Sequence, residues 1–222
     1  MSLLLLLAVL PGFLIALFIN IKDRKEPEPY GKLLVCILYG IVAFFISRGI
    51  GFLLHDFMFS GAGNMARQVA RAFFMVGLLG EGFKFLFLRG FTFYDKQFNQ
   101  PFDGIVYAVM VSIGFATAEN VLYVLNGDPN PDLWPLVTAV PANAVFAVIM
   151  GFFLGEAKLF RHRTFLYSAL ALLLAAFVHG FYDYFFYLTH IKWLWVQALI
   201  SLVIIWVLTS YAVKLRRGSM IK

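Results

Sequence analysis

Long apolar stretches, each broken by a few polar residues and separated by short polar loops, make up almost the whole chain. Seven of them, at 3–21, 33–54, 70–88, 103–125, 133–157, 165–188 and 193–213, have the roughly 20 mostly apolar residues that a helix needs to cross a bilayer. They predict an all-α polytopic transmembrane bundle of about seven spans, forming one membrane domain over residues 1–222. The third, fourth and sixth stretches are interrupted by charge, yet each keeps enough Leu, Phe, Val and Ala to insert beside neighbours. The first stretch has neither a basic leader nor a small-x-small cleavage site, so it reads as a retained span and not a signal peptide. No internal repeat is visible.

Composition sharpens this picture. The chain is 62% hydrophobic and 14% charged, with 26 Phe, against about 25% charge in ordinary globular domains. A soluble fold of 222 residues does not hide that much apolar surface. The net charge of +6 is spread over short loops and forms no phosphate-binding stripe, which argues against a nucleic-acid partner. Of the 18 basic residues, 13 fall in alternate loops: after the first, third and fifth spans and at the C-terminus. The opposite loops hold little beyond Arg67 and Lys192, and the segment 126–132 is acidic. By the positive-inside rule the N-terminus is outside and the C-terminus cytoplasmic, in a multi-pass protein of a plasma membrane, by expectation a bacterial one. The single cysteine, Cys36, rules out an internal disulfide and a thiolate zinc site.

Five ionisable residues lie inside the apolar stretches and form the candidate site: Glu81, Lys84, Glu119, His179 and Asp183. A charge at the centre of a membrane helix costs about 2.5–3.5 kcal/mol, so several together need partners or a function. Helical rise puts Glu119 roughly 9 Å, His179 roughly 13 Å, Asp183 roughly 8 Å and Glu81 roughly 16 Å from the outer ends of their spans. Asn143, in the fifth span, falls at roughly 15 Å. Four helices therefore present polar groups in one layer of the outer half. Glu81 and Lys84, three apart, can pair; His179 and Asp183, four apart, share a helix face. Asn120 adds an amide beside Glu119. These residue types activate water or hold a metal. Arg48, near the outer end of the second span, is expected to snorkel to headgroups, and Gly151 and Gly155 to let helices approach closely.

Read together, these residues resemble the PrsW family of intramembrane proteases, within the wider group that includes the type II CAAX prenyl endopeptidases. The family's Glu-Glu-x-x-Lys corresponds to Gly80-Glu81-Gly82-Phe83-Lys84. Its Asp-Gly-Ile-Val-Tyr start and Phe-Ala-x-x-Glu-Asn-x-x-Tyr continuation match Asp103–Tyr107 and Phe115–Tyr123. Pro-x-His-Ala matches Pro141-Ala142-Asn143-Ala144, and His-Gly-x-x-Asp matches His179–Asp183. Two positions depart from the pattern: Gly80 replaces a glutamate and Asn143 a histidine.

The resemblance implies hydrolysis of a single-span membrane protein near its outer end, such as an anti-sigma factor. It assigns catalysis to Glu81, Glu119, His179 and Asp183, with Glu81 as base and Lys84, Asn120 and Asn143 supporting. A metal, zinc among the candidates, would take Glu119, His179, Asp183 and Asn143; a metal-free glutamic mechanism is the other form. Two rival readings stand beside it. One is a protease relative impaired at Gly80 and Asn143 that still binds transmembrane segments. The other is a transport or scaffold protein whose buried Glu, His and Asp carry protons or bind ions.

Overall fold

The computed structural model describes residues 2–23, 26–59, 69–127 and 133–188, with Val203 and Val207. Among them there is no strand. Helix α1 spans Ser2–Lys22 and α2 Tyr30–Phe59. The next helix, α3, is built in three consecutive pieces: π-helical Arg71–Gly80, α-helical Glu81–Phe87 and π-helical Leu88–Thr92. Then come α4 (Pro101–Leu125), α5 (Leu133–Leu159) and, after a 3₁₀ turn at Arg161–Arg163, α6 (Thr164–Leu188). The expected seventh span, 193–213, lies outside the described residues.

Among the described residues, five helical segments are long and apolar enough to cross a membrane: Ser2–Lys22, Tyr30–Leu54, Pro101–Leu125, Leu136–Leu159 and Arg161–Asp183. The third expected span, α3, is not one of these. Four charged side chains, Arg71, Glu81, Lys84 and Arg89, and a wide-turned backbone leave it dependent on its neighbours.

Helix α4 is the axis of the bundle. Every residue from Phe102 to Ala116 is buried, as expected of a helix apolar on all sides. It packs against α1, α2 and α5, while α6 closes onto α5 and α3. Its start is fixed locally: Pro101 occupies the first turn, and Asp103 Oδ2 accepts the backbone N–H groups of Asn99 at 2.9 Å and Gln100 at 2.7 Å. The outward faces of the other helices carry Leu3, Phe13, Leu38, Phe45, Leu173 and Phe177, exposed as a lipid-facing surface requires.

Close crossings are made by glycine. A Cβ at Gly151 would stand 2.6 Å from Ile105 Cα, and one at Gly155 2.8 Å from Pro101 Cα, so both glycines seat α5 on α4. At the α3–α6 crossing a Cβ on Gly180 would stand 2.9 Å from Phe73 Cα, and one on Gly77 3.2 Å from Gly180 Cα. That second crossing brings Glu81 within reach of His179.

The basic loops meet at one end of the bundle. Lys32 pairs with Asp95, and the Lys158 ammonium donates to the backbone carbonyls of Phe93 and Asp95. The hydrogen bond from Lys32 holds the Asp95 carboxyl below the usual carboxylate range. Beside them Tyr107 donates to Glu28, whose carboxyl burial pushes up to about 7. Glu119, six residues from the other end of α4, lies towards the opposite side.

Candidate functional site

The site is organised around a lysine. Glu81 and Lys84 sit one turn apart on the α-helical piece of α3 and are 0% and 1% exposed. The Lys84 ammonium donates to Glu81 Oε1 at 2.7 Å, to Asn143 Oδ1 at 2.6 Å and to Ser112 Oγ at 3.3 Å. It also lies 4.3 Å from the Phe115 ring centroid. Ser112 donates onward to the Asn143 carbonyl at 3.0 Å, and the Asn143 amide donates to Ala139 O at 3.0 Å. One buried cation thus ties α3, α4 and α5 together. Each charge has a partner, which is what makes burial of both tolerable.

His179 joins this network from α6. Its Nδ1 is 2.7 Å from Glu81 Oε1, and its ring stacks on Phe146 with centroids 4.4 Å apart. Because Glu81 accepts from Lys84, the consistent tautomer has His179 Nδ1–H donating to the same carboxylate oxygen. His179 Nε2 then faces away from the network, 4.0 Å from Asp183 Oδ2. That is too long for a hydrogen bond and a separation that one water bridges.

A cavity of about 280 Å³ opens on this side of the imidazole, walled by Glu119, Asn143, His179, Tyr182 and Asp183 among others. Glu119 is exposed on the cavity wall although it belongs to the bundle's central helix. Glu81 does not line this cavity: it stands behind His179, wholly buried. Its second oxygen, Oε2, has no hydrogen-bond partner among the described residues.

The structure brings Glu81, Lys84, Asn143 and His179 into one bonded network, and Glu119 and Asp183 onto the wall of the same cavity. Asn120 also borders the cavity, but its amide donates to Leu136 O at 3.0 Å and Ala8 O at 3.5 Å, making it a strut between α4, α5 and α1. Two arginines stand close by: Arg48, expected to snorkel to headgroups and exposed, lines a second cavity between α2, α3 and α4 together with Arg71 and Glu119.

The expected metal set of Glu119, His179, Asp183 and Asn143 borders one cavity without closing on a single point. Among the described residues no three His, Cys, Asp or Glu side chains are gathered to hold an ion. Asn143 Oδ1 and Glu81 Oε1 accept from the Lys84 ammonium, so the groups that would hold an ion are His179 Nε2 and the Glu119 and Asp183 carboxylates on the cavity wall, with Glu81 orienting the imidazole from behind. A catalytic zinc takes three protein ligands and an open position.

Comparison with known proteins agrees with the motif reading. Residues 28–210 match the family described as PrsW family intramembrane metalloprotease. Protease PrsW of Geobacillus kaustophilus is 33% identical over 198 residues, covering 89% of this chain and 85% of that protein. Protease PrsW of Clostridioides difficile is 29% identical over 208 residues, covering 90% and 86%. That of Bacillus subtilis is 29% identical over 177 residues, covering 79% of each. No solved structure matches. With the match running through the helices that carry Glu81, Glu119, Asn143 and His179, the chain belongs to the PrsW family of intramembrane proteases and is a PrsW-like protease.

Proposed function

We propose that the chain is an intramembrane endopeptidase in which His179 activates water against a peptide bond of a single-span membrane protein, an anti-sigma factor being one example. The observation that carries this is the run of contacts from Lys84 through Glu81 to His179 Nδ1, ending at Nε2 on the cavity wall. Lys84 anchors Glu81, and Glu81 fixes the tautomer and direction of the imidazole. Nε2 then takes a proton from a water held between it and Asp183, as that water attacks the carbonyl carbon. Glu119, across the cavity, handles the second proton, to the departing amine. In this reading Glu81, expected from the resemblance to be the base, is a positioning residue, because it is shut off from the cavity.

The family description names a metal; His179 Nε2, Glu119 and Asp183 are the groups that would hold one, and it would lower the pKa of a bound water. The proposed mechanism runs on the side chains alone. The chain reconstituted in liposomes with a single-span substrate is expected to cleave it, to lose cleavage in Glu119→Gln, and to keep it in 1,10-phenanthroline. Loss of activity to the chelator, restored by adding back a divalent metal, would overturn the metal-free mechanism. No cleavage by the unaltered chain, with activity gained in Gly80→Glu plus Asn143→His, would make it an impaired relative.

We further propose seven spans in a single membrane domain, with the N-terminus outside and the C-terminus cytoplasmic. The gathering of Lys32, Asp95 and Lys158 at one end, and of Glu119 towards the other, supports this orientation and a site in the outer half. A reporter fused after Lys222 is expected to be active only on the cytoplasmic side of a bacterial plasma membrane. Activity confined to the outer side would reverse the orientation.

A further inference from the structure

Peptide hydrolysis at His179 develops a charge that none of the groups named so far receives. As water adds to the carbonyl carbon, the C=O electron pair moves onto oxygen, and that oxyanion needs a donor aimed at it. His179 Nε2 is engaged with the water, Asp183 holds the water from the other side, and Glu119 serves the departing amine. The cavity wall narrows the choice of donor. Asn120 gives its amide to Leu136 O and Ala8 O, and Asn143 gives its own to Ala139 O. Within the helices, backbone N–H groups are spent on the helical ladder. The hydroxyls on the wall are those of Tyr123 on α4, Thr138 on α5 and Tyr182 on α6.

Of these, Tyr182 is tied most directly to the imidazole. It follows His179 by three residues on α6, so the two side chains share a helix face. Both rings rest on Phe146 of α5. The imidazole stacks on it with centroids 4.4 Å apart, and the phenol meets it edge-on at 5.8 Å and 64°. One side chain of α5 thereby fixes the base and the phenol together. Thr138, 2% exposed on the same helix, is hydrogen-bonded to the Tyr182 hydroxyl and holds the far end of the ring. A hydroxyl donates one hydrogen bond and accepts others. With Thr138 donating to the phenol oxygen, the phenol hydrogen is directed to the cavity. Tyr123 stands on a different helix from the imidazole, one turn after Glu119.

We propose that Tyr182 is a catalytic residue whose hydroxyl donates a hydrogen bond to the oxyanion formed at the scissile carbonyl, with Thr138 as its positioning residue; this rests on the proteolytic reading. The phenol keeps its proton throughout. Nε2 accepts the proton of the attacking water, and the oxyanion forms against the phenol O–H. The oxyanion then collapses, the C–N bond breaks, and Glu119 delivers a proton to the amine. Tyr182 leaves the cycle as it entered. A phenylalanine would fill the same space against Phe146, so what the hydroxyl adds is a donor on the cavity wall.

The test separates turnover from binding. The full chain in proteoliposomes, given a fluorogenic single-span peptide, yields kcat and KM. Tyr182→Phe is expected to lower kcat by about 10²–10³-fold, the effect of losing one oxyanion donor, and to leave KM near that of the parent. Thr138→Val should lower kcat by about tenfold, the scale for an orienting partner, and Thr138→Ser should return most of it. The same peptide with a phosphinate in place of the scissile amide carries its oxygens where the oxyanion forms. It should bind Tyr182→Phe more weakly by the factor that kcat falls. Thermal melting checks that the variants fold. Tyr182→Phe cleaving as fast as the parent, or a loss carried by KM alone, would overturn the oxyanion role and leave the proteolytic reading intact. A larger kcat loss in Tyr123→Phe than in Tyr182→Phe would overturn it too, by giving the role to the other phenol. No cleavage by the unaltered chain would sink both the role and the reading beneath it.

Discussion

His179→Asn is expected to slow cleavage of a membrane-anchored substrate by about 10²–10⁴-fold, the range for removing a general base. Asparagine can still donate an amide hydrogen towards Glu81, but it has no titratable nitrogen to present to the cavity. The comparison that matters is with Glu81→Gln. If Glu81 only orients the imidazole, its neutral isostere should cost about 10–100-fold, as loss of an orienting partner does at metal-bound histidines. Initial rates in proteoliposomes decide the order. A larger loss for Glu81→Gln than for His179→Asn would return the base to Glu81.

Lys84→Met carries the largest expected effect on stability. It removes the partner of a carboxylate that is 0% exposed and leaves the Asn143 and Ser112 oxygens without their donor. Breaking one side of a buried ion pair costs about 3–5 kcal/mol. The double variant Lys84→Met with Glu81→Gln should recover much of that loss, because no charge is then left alone. Denaturant or thermal unfolding in detergent measures both. A single variant within about 1 kcal/mol of the parent, the size of a surface pair, would show that Lys84 is not the tie between the helices.

Helices were legible wherever apolar composition alone decides them. The expected 103–125 and 133–157 differ from α4 and α5 by a residue or two at an end, and Pro101 with Asp103 marks one start chemically. Less legible was α3: its π-helical first piece packs against α6 and α2, contacts that no local pattern announces. Within the site, local pairs could be read and distant ones could not. Glu81 and Lys84 bond as their spacing of three foretold. His179 and Asp183 share a face but stand 4.0 Å apart. The contact between Glu81 and His179 joins residues 98 apart, through a crossing set by Gly77 and Gly180.

The spacing of these bonds along the chain also bears on how the protein is made. Asn143 follows Lys84 by 59 residues, and His179 follows Glu81 by 98. At a ribosomal rate of about 5–20 residues per second, Glu81 is synthesised roughly 5–20 s before its imidazole partner. Throughout that interval α3 holds two opposite charges beside a translocon that is already passing the helix to lipid. The pair one turn apart is the only neutralisation then in reach. On this view the bond between Lys84 and Glu81 serves first as a temporary internal counter-ion that lets an unfinished helix wait in the bilayer. It joins the network with His179 only once α6 has left the ribosome.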